Sequence, residues 1–417
     1  DAGELQVSCS ERLRALVALT RGPDGWRIER GAVRLDATPP TLPAAPVLAL
    51  DGRVGRLDLA AYLALWHEAA RDAALPALTA RLSAAQLVAG TRVFPEVAVT
   101  ADALQGAGEV ELASADLSGS LRWPAQVSEA HPAAARFADF NLTQPGDAAL
   151  PAALAQLFAP ALQLDVDELA WQGRSLGRLT ARLAGHAGAL EVSGLQLTGP
   201  AGVARASGLC TGGACSAQLS LDSHDVAATL AALGLRGEIS AARGLASARL
   251  QWSPGAPSAL ASLDGDLHMQ LEEGATRVAA AEPGMPLALL PVPALMAALG
   301  APLPAGADPG LHFARVTAGF ALHGGEATTA DLHFDGDAEI MMRGRVGLVA
   351  RDYDAEAVIL RGEERLPAAL RRLVATPRVA AAWLSLRELF GGAPAERGPA
   401  VLRLRGTWSD PIVAAAE

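Results

Sequence analysis

The pattern that most restricts this chain is a two-residue alternation of apolar and polar side chains, carried in short runs that end at Gly, Pro or Asp and recur over most of the sequence. Successive side chains of a strand point to opposite faces. Runs such as Leu162-Gln163-Leu164-Asp165-Val166-Asp167, Leu195-Gln196-Leu197-Thr198, Gln218-Leu219-Ser220-Leu221 and Val401-Leu402-Arg403-Leu404-Arg405 therefore give ribbons with one apolar side and one wetted side. Many such runs separated by turn residues predict a mostly β fold built from antiparallel sheet. One face of that sheet must be hidden from water, and the inward-facing side chains are Leu162, Leu164, Val166, Leu195, Leu197, Leu219, Leu221, Leu250, Trp252, Leu402 and Leu404.

Helical spacing is confined to a few places. From Leu57 to Leu75 apolar groups recur at Leu59, Leu63, Trp66 and Ala70, which predicts one amphipathic helix over 57–75, ended by the ring of Pro76. A shorter helix follows Ser223-His224-Asp225, with Val226, Leu230 and Leu233 on a stripe and Gly234 placed to stop it. A third covers 366–390, interrupted at Pro377, and carries Arg371, Arg372 and Arg378. The longest uncharged stretch, Pro283 to Ala307, could span a bilayer by length, but six prolines within it favour short helix and loop packed on protein. Helices this few cannot cover such a sheet. Either two sheets pack on each other or a ligand occupies the apolar side, and alternation alone leaves both readings open.

Composition removes several function classes. The net charge is -11 and no Lys occurs, so all 34 basic residues are Arg. That takes away the electrostatic basis of nucleic-acid binding, the lysine of a phosphate-binding loop and any Schiff-base chemistry. Aromatics make up only 4%, too few for base-stacking platforms, whereas 51% hydrophobic residues exclude a disordered chain. His67-Glu68-Ala69-Ala70-Arg71 begins like a zinc-protease helix, but Arg71 stands where the second His ligand is needed. Ser223-His224-Asp225 contains triad residue types, yet sequence neighbours point in different directions, and helix capping accounts for them better. Asp335, Asp337 and Glu339 lack the Gly and distant Glu of a calcium loop and read as a solvated turn. With no Gly-x-Ser-x-Gly elbow either, no catalytic residue, metal ligand or cofactor is nominated, and the chain is predicted not to be an enzyme.

Three cysteines stand at Cys9, Cys210 and Cys215. The last two flank the turn-forming Thr211-Gly212-Gly213-Ala214, so they either close a cross-strand disulfide in an oxidising compartment or sit reduced in a hairpin, leaving Cys9 without a partner. The opening residues Asp1 to Val7 read like the middle of a strand, which points to a fragment.

A series of motifs in order carries a resemblance. Gly52-Arg53-Val54-Gly55-Arg56-Leu57-Asp58-Leu59 precedes the helix with Trp66, and Gly119-Ser120-Leu121-Arg122-Trp123-Pro124 closes the next strands. Leu176-Gly177-Arg178-Leu179, Leu250-Gln251-Trp252-Ser253-Pro254-Gly255, Leu263-Asp264-Gly265-Asp266-Leu267, Gly344-Arg345-Val346-Gly347 and Gly406-Thr407-Trp408-Ser409-Asp410-Pro411 follow. Together they resemble the C-terminal portion of YhdP-type proteins of the AsmA-like family, over nearly the whole chain. The chain departs from the family pattern between Gly300 and Gly310, where a Pro-rich loop replaces an acidic-aromatic strand, and in lacking the family's N-terminal transmembrane helix.

The resemblance implies an elongated, curved antiparallel β-sheet, a β-groove, with a few short amphipathic helices at its edges and ends. Its segments are expected at 1–125, 162–280 and 311–417, separated by a linker with a short helix at 126–161 and by the Pro-rich stretch at 281–310. It further implies a periplasmic conduit, tethered to the inner membrane by the missing helix and meeting the outer membrane near its C-terminus. Its cargo would be phospholipid, whose acyl chains line the eleven inward residues named above. The runner-up is a cargo-free β scaffold with a dry core.

Overall fold

The computed structural model describes residues 2–9, 13–22, 25–36, 38–71, 75–89, 92–115, 117–142, 155, 158–186, 188–235, 239–254, 256, 258–277, 289–292, 295, 310–360 and 400–415. The predicted helix at 366–390 and most of the Pro-rich stretch lie outside them, as does the side chain of His67. The chain is mostly β, with 22 strands and two α-helices among the described residues. It divides into two compact units, Asp1–Thr198 and Gly199–Glu417. The expected borders at 125 and 161 fall inside the first unit, because the strands on either side of them pair directly.

In the first unit β1 (Ala2–Cys9), β2 (Leu13–Gly22) and β3 (Gly25–Leu35) form an antiparallel meander. Then β4 (Val47–Asp58) pairs parallel to β3, and β5 (Ala77–Ala89) parallel to β4. The meander resumes through β6 (Arg92–Leu104), β7 (Ala107–Ala113), β8 (Leu117–Trp123) and β9 (Ala133–Leu142). Strand β10 (Leu162–Trp171) pairs parallel to β9, and β11 (Arg174–His186) and β12 (Ala189–Gly199) close the unit antiparallel. The three parallel pairs are exceptions to the antiparallel pairing expected. Alternation along a strand does not encode the direction of its neighbour, whereas a parallel neighbour requires a crossover connection. The segments 36–46, 59–76 and 143–161 are those crossovers.

Helix α1 (Leu59–Arg71) is the second crossover. Asp58 starts it, its Oδ1 accepting the Ala61 N–H at 3.0 Å. The helix packs on β4 to β7 and lays Leu59, Tyr62, Leu63 and Trp66 into a core with Leu82, Phe94, Val97 and Val110. Phe158, from the third crossover, packs against Trp123 with ring centroids 5.2 Å apart and the rings tilted by 37°. The apolar face of β5 to β10 is thereby sealed by the chain's own side chains.

The second unit is antiparallel throughout: β13 (Gly202–Thr211), β14 (Ala214–Ser223), β15 (Ile239–Trp252), β16 (Asp264–Arg277), β17 (Gly310–His323), β18 (Glu326–Gly336), β19 (Glu339–Gly347), β20 (Asp352–Leu360), β21 (Ala400–Thr407) and β22 (Pro411–Ala415). Between β14 and β15 lies α2 (Val226–Ala232). Its N-cap is Asp225, and Gly234 at φ +77° ends it, with Gly234 N–H donating to Ala231 and Leu235 N–H to Leu230. That pair of bonds satisfies the last carbonyls of the helix in a Schellman arrangement. The core gathers Phe313, Phe320, Phe334, Ile340, Val346 and Tyr353 of β17 to β20 with Val226 and with Leu289, Leu290, Val292 and Leu295. The last four show that part of the uncharged stretch packs on the sheet. Among the described residues no helix is long and apolar enough to cross a membrane.

Candidate functional site

Strand register decides which side chains share a face. On β14, Cys215, Ala217, Leu219 and Leu221 stand beside Cys210, Gly208, Ala206 and Ala204 of β13. Across the other edge they meet Trp252, Leu250, Ala248 and Ala246 of β15. The face is apolar across all three strands. The opposite face of the same strands is mostly polar, with Arg205, Ser216, Gln218, Ser220, Asp222 and Arg249, and is broken by Val203, Leu209 and Leu245. Further along the unit that polar face bears cross-strand ion pairs. Arg345 forks onto Asp352 at 2.9 and 3.1 Å and reaches Glu326 at 3.2 Å, and Arg343 pairs with Glu356 at 3.0 Å. One side of the sheet is therefore mostly polar, with Leu209 and Leu245 exposed on it, and the other is apolar throughout β13 to β15.

The apolar side is only partly hidden. Leu219 is 40% exposed, and Leu221, Leu250 and Trp252 are half-buried. In the first unit Leu195 and Leu197 of β12 are also half-buried at the margin of the core. The other predicted lining residues are placed differently. Leu162, Leu164 and Val166 are 1–6% exposed inside the first core, and Leu402 and Leu404 are 6% and 0% exposed inside the second. So the eleven side chains lie on apolar faces, but the fold divides them: six remain reachable and five are covered by protein.

A further open patch escaped sequence reasoning. In the first unit Leu5 and Val7 of β1 pair with Val17 and Ala15 of β2, and Leu5, Val7 and Trp26 are all 41–55% exposed. The alternation of Leu5-Gln6-Val7 was a readable signal for it.

A family model described as YhdP protein matches residues 1–413. The chain belongs to the YhdP family. No curated protein and no solved structure matches it. Both units of this YhdP chain lie within the match, the second up to residue 413.

The remaining sequence candidates resolve into local structure. Asp225 accepts the Ala228 N–H at 2.9 Å, while Ser223 Oγ donates to the Ala201 carbonyl at 3.2 Å and bonds Thr229 Oγ1 at 2.8 Å. These two hold the start of α2 and form no relay with His224. Asp337 binds the His312 N–H at 2.8 Å and Glu339 lies 3.1 Å from His333. Among the described residues no group of His, Cys, Asp and Glu is arranged to hold a metal ion. Cys210 and Cys215 form a disulfide across the β13–β14 turn, and Cys9 is free and exposed. Burial pushes the phenols of Tyr62 and Tyr353 well above their ordinary range, as expected for side chains packed in a core away from any site.

Proposed function

We propose that this YhdP chain shelters phospholipid acyl chains on the open parts of its apolar sheet faces and conducts them across the periplasm between inner and outer membranes. One observation carries the reading: on β13 to β15 an uninterrupted apolar face, with Leu219 40% exposed at its centre, lies back to back with a mostly polar one that holds Val203, Leu209 and Leu245 among its charged and hydroxyl side chains. Such a surface loses free energy in water at about 25 cal/mol for each Å² left bare, and hydrocarbon is the cover that recovers it. Each methylene brought onto it contributes about 0.8 kcal/mol. Walls of Ala and Leu present near-equivalent positions, which suits sliding better than capture in a fitted pocket.

The Cys210–Cys215 disulfide supports an oxidising compartment such as the periplasm. Tethering to the inner membrane would be supplied by an N-terminal segment, and the outer-membrane contact by the region near the C-terminus. The net charge of -11 speaks against nucleic acid as a partner.

The competing reading, a scaffold with a dry core and no cargo, draws on the burial of Leu162, Val166 and Leu404 under protein. Purification without detergent, solvent extraction and mass spectrometry separate the two. Phospholipid recovered with the folded protein is the expected result, and repeated absence from a well-folded sample would favour the scaffold.

A further inference from the structure

The open face of β13 to β15 has two unlike ends. At one, the chain leaving β14 folds onto the apolar side as α2. Val226 is buried there, above Gly244 of β15, where an added Cβ would stand only 2.6 Å from Val226 Cγ2. The strand can pass beneath the helix only because Gly244 has no side chain. Ser223, 1% exposed, is satisfied by Ala201 and Thr229, and both helix ends are capped. This end is a filled, fixed stop.

At the other end Thr211 to Ala214 are all exposed, and the disulfide pins the two strands directly beneath them. Trp252 sits opposite Cys215, half-buried, followed by the exposed Ser253 and Pro254. An indole with an apolar body and a polar N–H is the side chain that favours a boundary between hydrocarbon and water. This end opens to solvent.

The distance between the ends fits a ligand. From Cys215 to Leu221 is six steps along β14, or about 20 Å at roughly 3.4 Å per residue. The hydrocarbon of one bilayer leaflet is about 15 Å deep, half of the roughly 30 Å core. Three strands spaced about 4.8 Å apart are wide enough for two chains side by side.

Resting on the lipid reading above, we infer that a bound phospholipid lies along these strands in one direction, its acyl methyl ends against α2 and its glycerol and headgroup beyond Trp252 and the disulfide-pinned turn. Val226 over Gly244 then limits the acyl length that this face accepts.

Two phosphatidylethanolamine probes test the direction, one with a diazirine at the terminal carbon of an acyl chain and one with it beside the ester. The whole chain is loaded from vesicles containing each probe, irradiated and mapped by peptide mass spectrometry. The expected result is a shift of label from the Leu221, Ala246 and Val226 end for the terminal probe to the Cys215 and Trp252 end for the ester probe. Reversed maps, or the same even labelling by both, overturn the inference while leaving lipid binding intact. No label on this face from either probe sinks the lipid reading itself. Ala246→Phe, checked for folding by circular dichroism, should move the terminal-carbon label away from α2 towards Leu219, and an unmoved label would count against a length limit.

Discussion

Strands β13 to β15 and strands β17 to β20 belong to one unit, share one alternation and meet opposite fates. Leu219 stands 40% exposed, whereas Phe334, Ile340 and Val346 are at 0%. The first group is lined by Ala204, Ala206, Ala217 and Ala246 with a few Leu, the second by Phe313, Phe320, Phe334, Met342 and Tyr353. Large side chains need partners from another layer to fill the space around them, and here Leu290, Val292 and Leu295 supply it. Small ones make a smooth wall that no layer must complete. Between these two groups of strands, large inward side chains go with a covered face and small ones with an open face.

The sharpest way to break the comparison is paired truncation. Phe334→Ala should lower stability by about 3–5 kcal/mol, and Leu219→Ala by about 1 kcal/mol or less, read as shifts of the urea midpoint. Equal losses would mean that both faces are core. Reducing the Cys210–Cys215 disulfide, which closes a short loop, should cost about 2 kcal/mol in the same assay. A loss confined to probes in β13 to β15 would show that the open face depends on this staple more than the covered one does.

A charge on the open wall gives a smaller but more informative effect. Leu221→Arg should leave far-UV circular dichroism unchanged while lipid recovered per folded molecule falls about tenfold, equivalent to about 1.4 kcal/mol. Unfolding with unchanged lipid per folded molecule would instead place Leu221 in dry core. The smallest effect belongs to the covered region of the first unit. The Tyr62 hydroxyl is buried with no hydrogen-bond partner among the described residues, so Tyr62→Phe should raise stability by about 1 kcal/mol. Because burial raises its pKa, the folded state holds the Tyr62 proton more tightly than the unfolded state. Stability is then intact below the ordinary phenol value of 10.0 and falls as pH climbs beyond it, a decline that Tyr62→Phe should lessen.

Much of the fold was legible. Runs at 162–167, 195–198, 218–221 and 400–405 are strands, the helix read over 57–75 is found at Leu59–Arg71, and the second starts at Asp225 and ends at Gly234. The parallel pairs β3–β4, β4–β5 and β9–β10 were not, since a strand reads the same whichever way its neighbour runs. Nor was the division of the eleven lining residues into covered and open. A usable signal existed for it: from Phe94 to Phe158 and from Phe313 to Phe334 lie seven of the chain's eight phenylalanines, all of them buried, and none falls between Phe158 and Phe313.

What the sequence determined by itself was local: the two-residue period fixes which side chains share a face, because strand geometry sends neighbours to opposite sides. Only the tertiary structure decided what lies above each face. Leu164 and Leu219 sit in equivalent alternating runs, yet one is 6% exposed and the other 40%. Cover comes from the crossovers and connections between strands, and burial is a property of the partner as much as of the residue itself.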